Sequence, residues 1–197
     1  MKHSEIQSKK KITFLLLTLL LSSCLVGYGQ DDEQLFTLQS EVLQEERGYW
    51  VSLPQSYNQP YNDYQKYPIC IVLDGDVHFY TAASTFQFMG GKQIPEMIVV
   101  GIKNVSRSRD YTPDKIQTTR PNDFGGGDNF LQFLEEELIP HLEAQYRTLP
   151  FRLLVGHSLG GLLATHTYMK PQTLFNAFIA VDPSFGGWDE ADRKSVV

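Results

Sequence analysis

The chain has 197 residues, 42% of them hydrophobic and 12% aromatic, enough for one domain with a real core. A formal net charge of -6 and the lack of a basic stripe argue against nucleic acid as a partner. There are no internal repeats, and no domain boundary is expected after the first thirty residues.

The first segment reads as an export signal. Lys2, Lys9, Lys10 and Lys11 form a positive n-region, and Ile12 to Leu21 is an apolar h-region too short for a comfortable membrane span. Two cleavage readings stay open. Leu21-Ser22-Ser23-Cys24 resembles a lipobox, giving a lipoprotein signal over 1–23 and membrane attachment through a lipidated Cys24. Gly27-Tyr28-Gly29 before Gln30 resembles an ordinary small-x-small site, giving a signal peptide over 1–29. The other cysteine, Cys70, lies in the apolar run Ile69 to Leu73 and reads as a buried small hydrophobe. No metal-ligand spacing is present, and no metal or other cofactor is expected.

Along the expected mature chain, 30–197, Leu35 to Leu43 reads as an edge strand, and Arg47 to Leu53 as its hairpin partner. Ser56 to Lys66 is a polar loop. Tyr67 to Leu73 is a continuous apolar strand of the kind covered on both faces, broken by Asp74-Gly75-Asp76. Val77 to Met89 has helical spacing, and Met97 to Ile102 is a second buried strand. Ser106 to Asp128 reads as one long polar loop, in which Arg107 and Arg109 are either solvated or bind an acidic substrate group. Asn129 to Tyr146 is an amphipathic helix, kinked or split at Pro140. Arg152 to Val155 is a strand, Gly160 to Met169 a helix, and Phe178 to Val181 a last short strand before Asp182-Pro183-Ser184. Strands alternating with helices predict an α/β fold, a mostly parallel sheet with helices on both faces.

Gly156-His157-Ser158-Leu159-Gly160, between that strand and that helix, has the form of a nucleophile elbow. The turn strains the serine backbone, so only small residues fit two before it and two after it, hence Gly156 and Gly160. The alternative is a glycine-rich turn with Ser158 as a helix N-cap. Acyl transfer also needs preset donors for an oxyanion. The Leu159 N–H is one. A second should come from the turn after the neighbouring strand, where the Asp76 N–H is the candidate; the alternative is a turn that merely closes the strand. His157 is expected to point away from the reacting face. His78, His141 and His166 sit on or at helices. Asp182 stands where an acid could stand, or simply ends its strand. No histidine follows it, so the triad as written is incomplete.

Several ordered stretches together resemble the esterase family of α/β-hydrolases. This is the group with siderophore esterases, feruloyl esterases, S-formylglutathione hydrolases and mycolyltransferases. They are Ser40 to Leu43 with Glu46-Arg47, Tyr67-Pro68 leading to Val72–Asp76, Val99 to Ile102, Arg107 to Pro113, Gly126 to Pro140, Tyr146 to Thr148, the elbow, and Asp182 to Phe185. The resemblance implies an α/β-hydrolase fold, Ser158 as nucleophile, and oxyanion amides from Asp76 and Leu159. It implies an exported carboxylic-ester hydrolase acting on a small-molecule ester through an acyl-enzyme. An acyltransferase of the same fold stays open. In the family the acid and the histidine follow the Pro-Ser stretch, and this sequence lacks that part. A C-terminally truncated domain, without the last strands and helix, is therefore expected, and a non-catalytic remnant is the second possibility.

Overall fold

The computed structural model describes residues 34–113 and 124–185. The signal-like segment with Cys24, the middle of the Ser106–Asp128 stretch and the end of the chain lie outside the described residues. Six strands are found among those described: β1 (Phe36–Ser40), β2 (Glu45–Ser52), β3 (Tyr67–Val72), β4 (Ile98–Ile102), β5 (Thr148–His157) and β6 (Ala177–Val181). They form one sheet in the order β1-β2-β4-β3-β5-β6. β2 is antiparallel to both β1 and β4, and all other pairs are parallel. The helices are α1 (Gly75–Met89), α2 (Arg107–Tyr111), α3 (Gly127–Phe133), α4 (Ile139–Gln145) and α5 (Leu159–Met169), with a π-helical turn over Leu134–Leu138.

β3 and β4 are buried at every position, as their unbroken apolar runs predict. Side chains alternate between the two faces of the sheet. Ile69, Ile71, Val100 and Leu154 face a cluster with Tyr111 of α2, Phe130 and Phe133 of α3, Leu142 of α4 and Leu163 of α5. Cys70, Val72, Val99 and Leu153 face the other way, onto Phe79 and Ala83 of α1. Burial holds the free Cys70 thiol far above its usual pKa, so it stays a neutral hydrophobe.

Several boundaries differ from the sequence reading. α1 starts at Gly75, so the expected strand-breaker is the first turn of a helix. A Cβ at position 75 would fall 2.7 Å from the Gly101 carbonyl carbon, which lets that helix begin against β4. The expected long loop holds α2 at one end and the start of α3 at the other, because Tyr111 and Phe130 are buried side by side, their ring centroids 5.5 Å apart. Of the two outcomes read for Pro140, a kink or a split, the second is found: the π-helical turn Leu134–Leu138 divides the helical stretch just before it. Pro140 sits at the first turn of α4, directly after the π-helical turn, where a missing N–H costs little. β5 begins four residues earlier than Arg152. Its pairing with β3 shifts between Tyr67 and Ile69, opposite Pro68, which has no N–H to give.

The β1–β2 hairpin is tied down by one carboxylate. Glu137, on the π-helical turn, accepts hydrogen bonds from Ser40 Oγ (2.5 Å) and from the backbone N–H groups of Glu41 (2.9 Å) and Val42 (3.0 Å). Glu137→Ala leaves three donors without their acceptor and should cost about 2 kcal/mol. For a domain of this size that lowers Tm by about 4–8 °C, read by circular dichroism. An unchanged Tm would show that water replaces the carboxylate at no cost.

A second tie joins β2 to α2. Arg47, 1% exposed, donates to Glu45 Oε1 (2.6 Å) and makes an ion pair, not a hydrogen bond, with Asp110 Oδ2 (2.8 Å), with its guanidinium 5.2 Å from the centre of the Phe130 ring. Arg109 closes the group on Glu45 (2.6 Å) and Asp110 (2.7 Å). Burial pushes the Glu45 carboxyl up, but the hydrogen bonds and charges of Arg109 and Arg47 together outweigh it and hold the pKa below the ordinary value. A depressed carboxyl stabilises the fold above its unfolded pKa, about 4.3, and the gain is lost as pH falls through the folded value. Melts from pH 6 to pH 3 should therefore show wild type losing Tm more steeply than Glu45→Gln at the acid end. Parallel slopes would contradict this.

Candidate active site

β3 and β5 are parallel neighbours, with Val72 paired to Val155 and the Leu73 N–H bonded to the Val155 carbonyl (2.9 Å). Their C-terminal ends therefore open side by side, and Asp74-Gly75-Asp76 lies next to His157-Ser158-Leu159. Ser158 sits between β5 and α5 with φ 57° and ψ -115°. A side-chain-bearing residue there costs on the order of 1–3 kcal/mol, and such strain collects at functional sites. Backbone hydrogen bonds hold it in place. The Ser158 N–H donates to the Val181 carbonyl (3.0 Å), and the Ser158 carbonyl accepts from the N–H groups of Leu162 (2.9 Å) and Ser184 (3.1 Å).

The glycine spacing has a steric cause. A Cβ on Gly156 would overlap the Gly160 carbonyl and sit 2.9 Å from the Gly161 nitrogen. A Cβ on Gly160 would press on Leu73 Cβ and on Asp74 Oδ2, both at 3.3 Å. The elbow is thus packed directly against the turn that follows β3.

That turn is also held in an unusual conformation. Asp74 caps α1 with φ 54° and ψ 47° and is 3% exposed. Its carboxylate accepts from Arg107 Nε (2.6 Å), Arg107 Nη2 (3.0 Å) and Asn104 Nδ2 (2.8 Å). Its N–H donates to Tyr111 Oη (3.0 Å), which in turn donates to Asn104 Oδ1 (2.9 Å). Burial, with the charge of Asp74 beside it, keeps the Tyr111 phenol protonated far above its usual range. Its bond to Asp74 raises the pKa of the Arg107 guanidinium further. The Val77 and His78 N–H groups bond back to the Asp74 carbonyl. Gly75 and Asp76 come before that first bond, where a helix has no internal acceptor to offer. The Asp76 side chain is occupied separately, accepting from the Asn104 N–H (2.7 Å). Leu159 holds the same first position on α5.

At the hydroxyl itself, Ser158 Oγ lies 2.8 Å from Ser184 Oγ. None of the described histidines is recorded in contact with Ser158 Oγ. His157 is exposed and meets His78 edge to face, centroids 5.4 Å apart. His141 bonds Tyr49 Oη (2.9 Å), and His166 contacts Asp128 (3.3 Å). Asp182 ends β6 with φ 46° and is exposed. Neither Arg107 nor Arg109 is a solvated side chain waiting for an acid: Arg107 is bound to Asp74, and Arg109 to Glu45 and Asp110.

Residues 40–195 match the family model described as "Putative esterase". The chain belongs to the esterase family. Esterase-family relatives include the ferri-bacillibactin esterase BesA of Bacillus subtilis, 30% identical over 60% of this chain and 48% of that protein. The siderophore triacetylfusarinine C esterase of Aspergillus fumigatus is 32% identical over 68% of this chain and 50% of the relative. The chain spans about half the length of these two curated relatives. Among solved structures, an IroE-like serine hydrolase from Shewanella oneidensis aligns with a TM-score of 0.72 at 39% identity, over 77% of this chain and 51% of that one. The BES protein of Bacillus cereus aligns with the same TM-score at 26% identity, over 85% and 68%. The fold is that of the α/β-hydrolases, as the ordered motifs predict.

The contacts of Asn104, Arg107 and Tyr111 with Asp74 were not legible. These residues lie 30, 33 and 37 positions from Asp74 in sequence, and what they share is that one residue, Asn104 and Arg107 through its carboxylate and Tyr111 through its N–H. Ser184 stood beside a Pro in an apparent strand end. Its bonds to Ser158 depend on β6 being the neighbour of β5.

Proposed function

We propose that this esterase-family protein is exported and hydrolyses carboxylic esters through Ser158. The strained Ser158 backbone, beside the free first-turn amides of two helices, is the observation that carries this reading. Ser158 Oγ attacks the ester carbonyl carbon, and the carbonyl oxygen becomes an oxyanion held by the Leu159 and Asp76 N–H groups. Collapse breaks the C–O bond, the alcohol leaves with a proton, and water then releases the acid from the acyl-enzyme. The step needs proton carriers; the family resemblance implies an acid and a histidine after the Pro-Ser stretch, and no histidine stands between Ser184 and Val197. Two relatives, the ferri-bacillibactin esterase and the siderophore triacetylfusarinine C esterase, support siderophore esters as the substrate class, and the lysine-flanked apolar leader supports export.

The protein should hydrolyse a siderophore ester, bacillibactin or triacetylfusarinine C, faster than short-chain nitrophenyl esters, followed by chromatography of the released acid. Cleavage of nitrophenyl esters alone would reject the siderophore assignment. One observation favours a second reading, a non-catalytic remnant: among the described residues the side-chain partner found at Ser158 Oγ is the neutral hydroxyl of Ser184. A folded protein that cleaves no ester would establish that reading instead.

A further inference from the structure

Arg107 is the side chain that touches both halves of the proposed oxyanion site. Its Nε and Nη2 grip the Asp74 carboxylate as a fork, at 2.6 and 3.0 Å. Nη2 also reaches the carbonyl oxygen of His157, the residue immediately before Ser158, at 3.4 Å. Asp74 is the cap that starts α1, two residues before the Asp76 amide, and its backbone is in the left-handed region. The Arg107 side chain therefore spans the gap between the turn after β3 and the turn after β5.

We infer that Arg107 is a positioning residue that sets the spacing between the Asp76 amide and the Ser158–Leu159 turn. This rests on the serine reading of the site. The physical need is clear. The two donors sit on different strands and helices, and an oxyanion is stabilised only when both meet one oxygen at about 3 Å. The β3–β5 ladder holds the strands but stops before the turns, at Leu73 and Val155. Beyond it, Gly160 packs on Asp74 from one side and Arg107 bridges from the other. Asn104 and Tyr111 complete the cradle: Asn104 Nδ2 donates to Oδ1, the oxygen that also takes Arg107 Nε, and Tyr111 Oη accepts from the N–H of the same aspartate. A lysine carries the charge but not the planar fork, so it can meet Asp74 or His157 but not both in one geometry.

The test compares wild type, Arg107→Gln and Arg107→Lys in the protein with its native C-terminus. Gln should lower kcat about 10- to 100-fold, the scale of a misplacement near 1 Å, with KM within about two-fold. Lys should recover most of the Tm lost in Gln but little of the kcat. A merely structural arginine would lower Tm in the same way but leave kcat per folded molecule unchanged in Gln, or let Lys rescue kcat along with Tm. Either of these two kcat results overturns the inference. A second measurement needs no turnover. Amide 1H–15N signals of Ser158 and Leu159 should shift in Arg107→Gln together with those of Asp74 to Asp76. Shifts confined to Asp74–Asp76 overturn the inference. Wild type without turnover is the separate failure of the serine reading, and the amide signals then decide the bridge alone.

Discussion

Replacing Ser158 by alanine should remove ester hydrolysis, lowering kcat/KM by about 10^4-fold or more. The size follows from the role. Without the hydroxyl no acyl-enzyme forms, and the oxyanion amides and binding contacts have only bulk water to assist. Stability should change little. Alanine keeps a Cβ at φ 57°, so the backbone strain stays as it is. The backbone bonds to Val181, Leu162 and Ser184 do not involve the side chain. Only the contact of Ser158 Oγ with Ser184 Oγ is lost, worth about 1 kcal/mol. A progress curve beside a thermal melt separates the two effects. Activity retained in Ser158→Ala would mean that another group attacks the ester.

Gly156→Ala should damage the fold and the site together. The new methyl group overlaps the Gly160 carbonyl, which is backbone in the first turn of α5 and cannot rotate aside. Either α5 shifts or β5 does, and both carry the elbow. Overpacking of this kind costs about 3 kcal/mol, which is about 6–12 °C in Tm for a domain of this size. The residual folded protein should also lose hydrolysis, because the displaced turn moves the Leu159 amide relative to the Asp76 amide. A variant with normal Tm and normal kcat would show that the 156–160 crossing tolerates a side chain, and that the glycine spacing has another origin.

The parts of this protein that can be read from sequence are those fixed locally. Ile69 to Leu73 and Val99 to Ile102 are apolar at every position, and such runs have no stable place except inside a sheet covered on both faces. Gly156 and Gly160 flank a serine because the turn demands it. The parts that resisted reading depend on partners far along the chain. Asp74-Gly75-Asp76 looks like a strand breaker until Arg107, Asn104 and Tyr111 are brought to it, and then it is the start of a helix. Ser106 to Asp128 looks like polar loop because its charges, Arg109 and Asp110, are satisfied by Arg47 and Glu45 on β2. Hydropathy counts those charges as solvated. Asp110 is in fact buried, ion-paired with Arg47 at 2.8 Å and with Arg109 at 2.7 Å.

The most direct test of the serine assignment is to treat the protein, with its native C-terminus, with a fluorophosphonate probe and locate the adduct by mass spectrometry. One phosphonyl group should appear on the tryptic peptide that begins at Leu153 and runs past the uncleaved Lys170-Pro171 bond to Arg193, at Ser158, and labelling should vanish in Ser158→Ala. A cooperatively folded protein that takes up no label, or takes it up at another residue, would contradict Ser158 as the nucleophile.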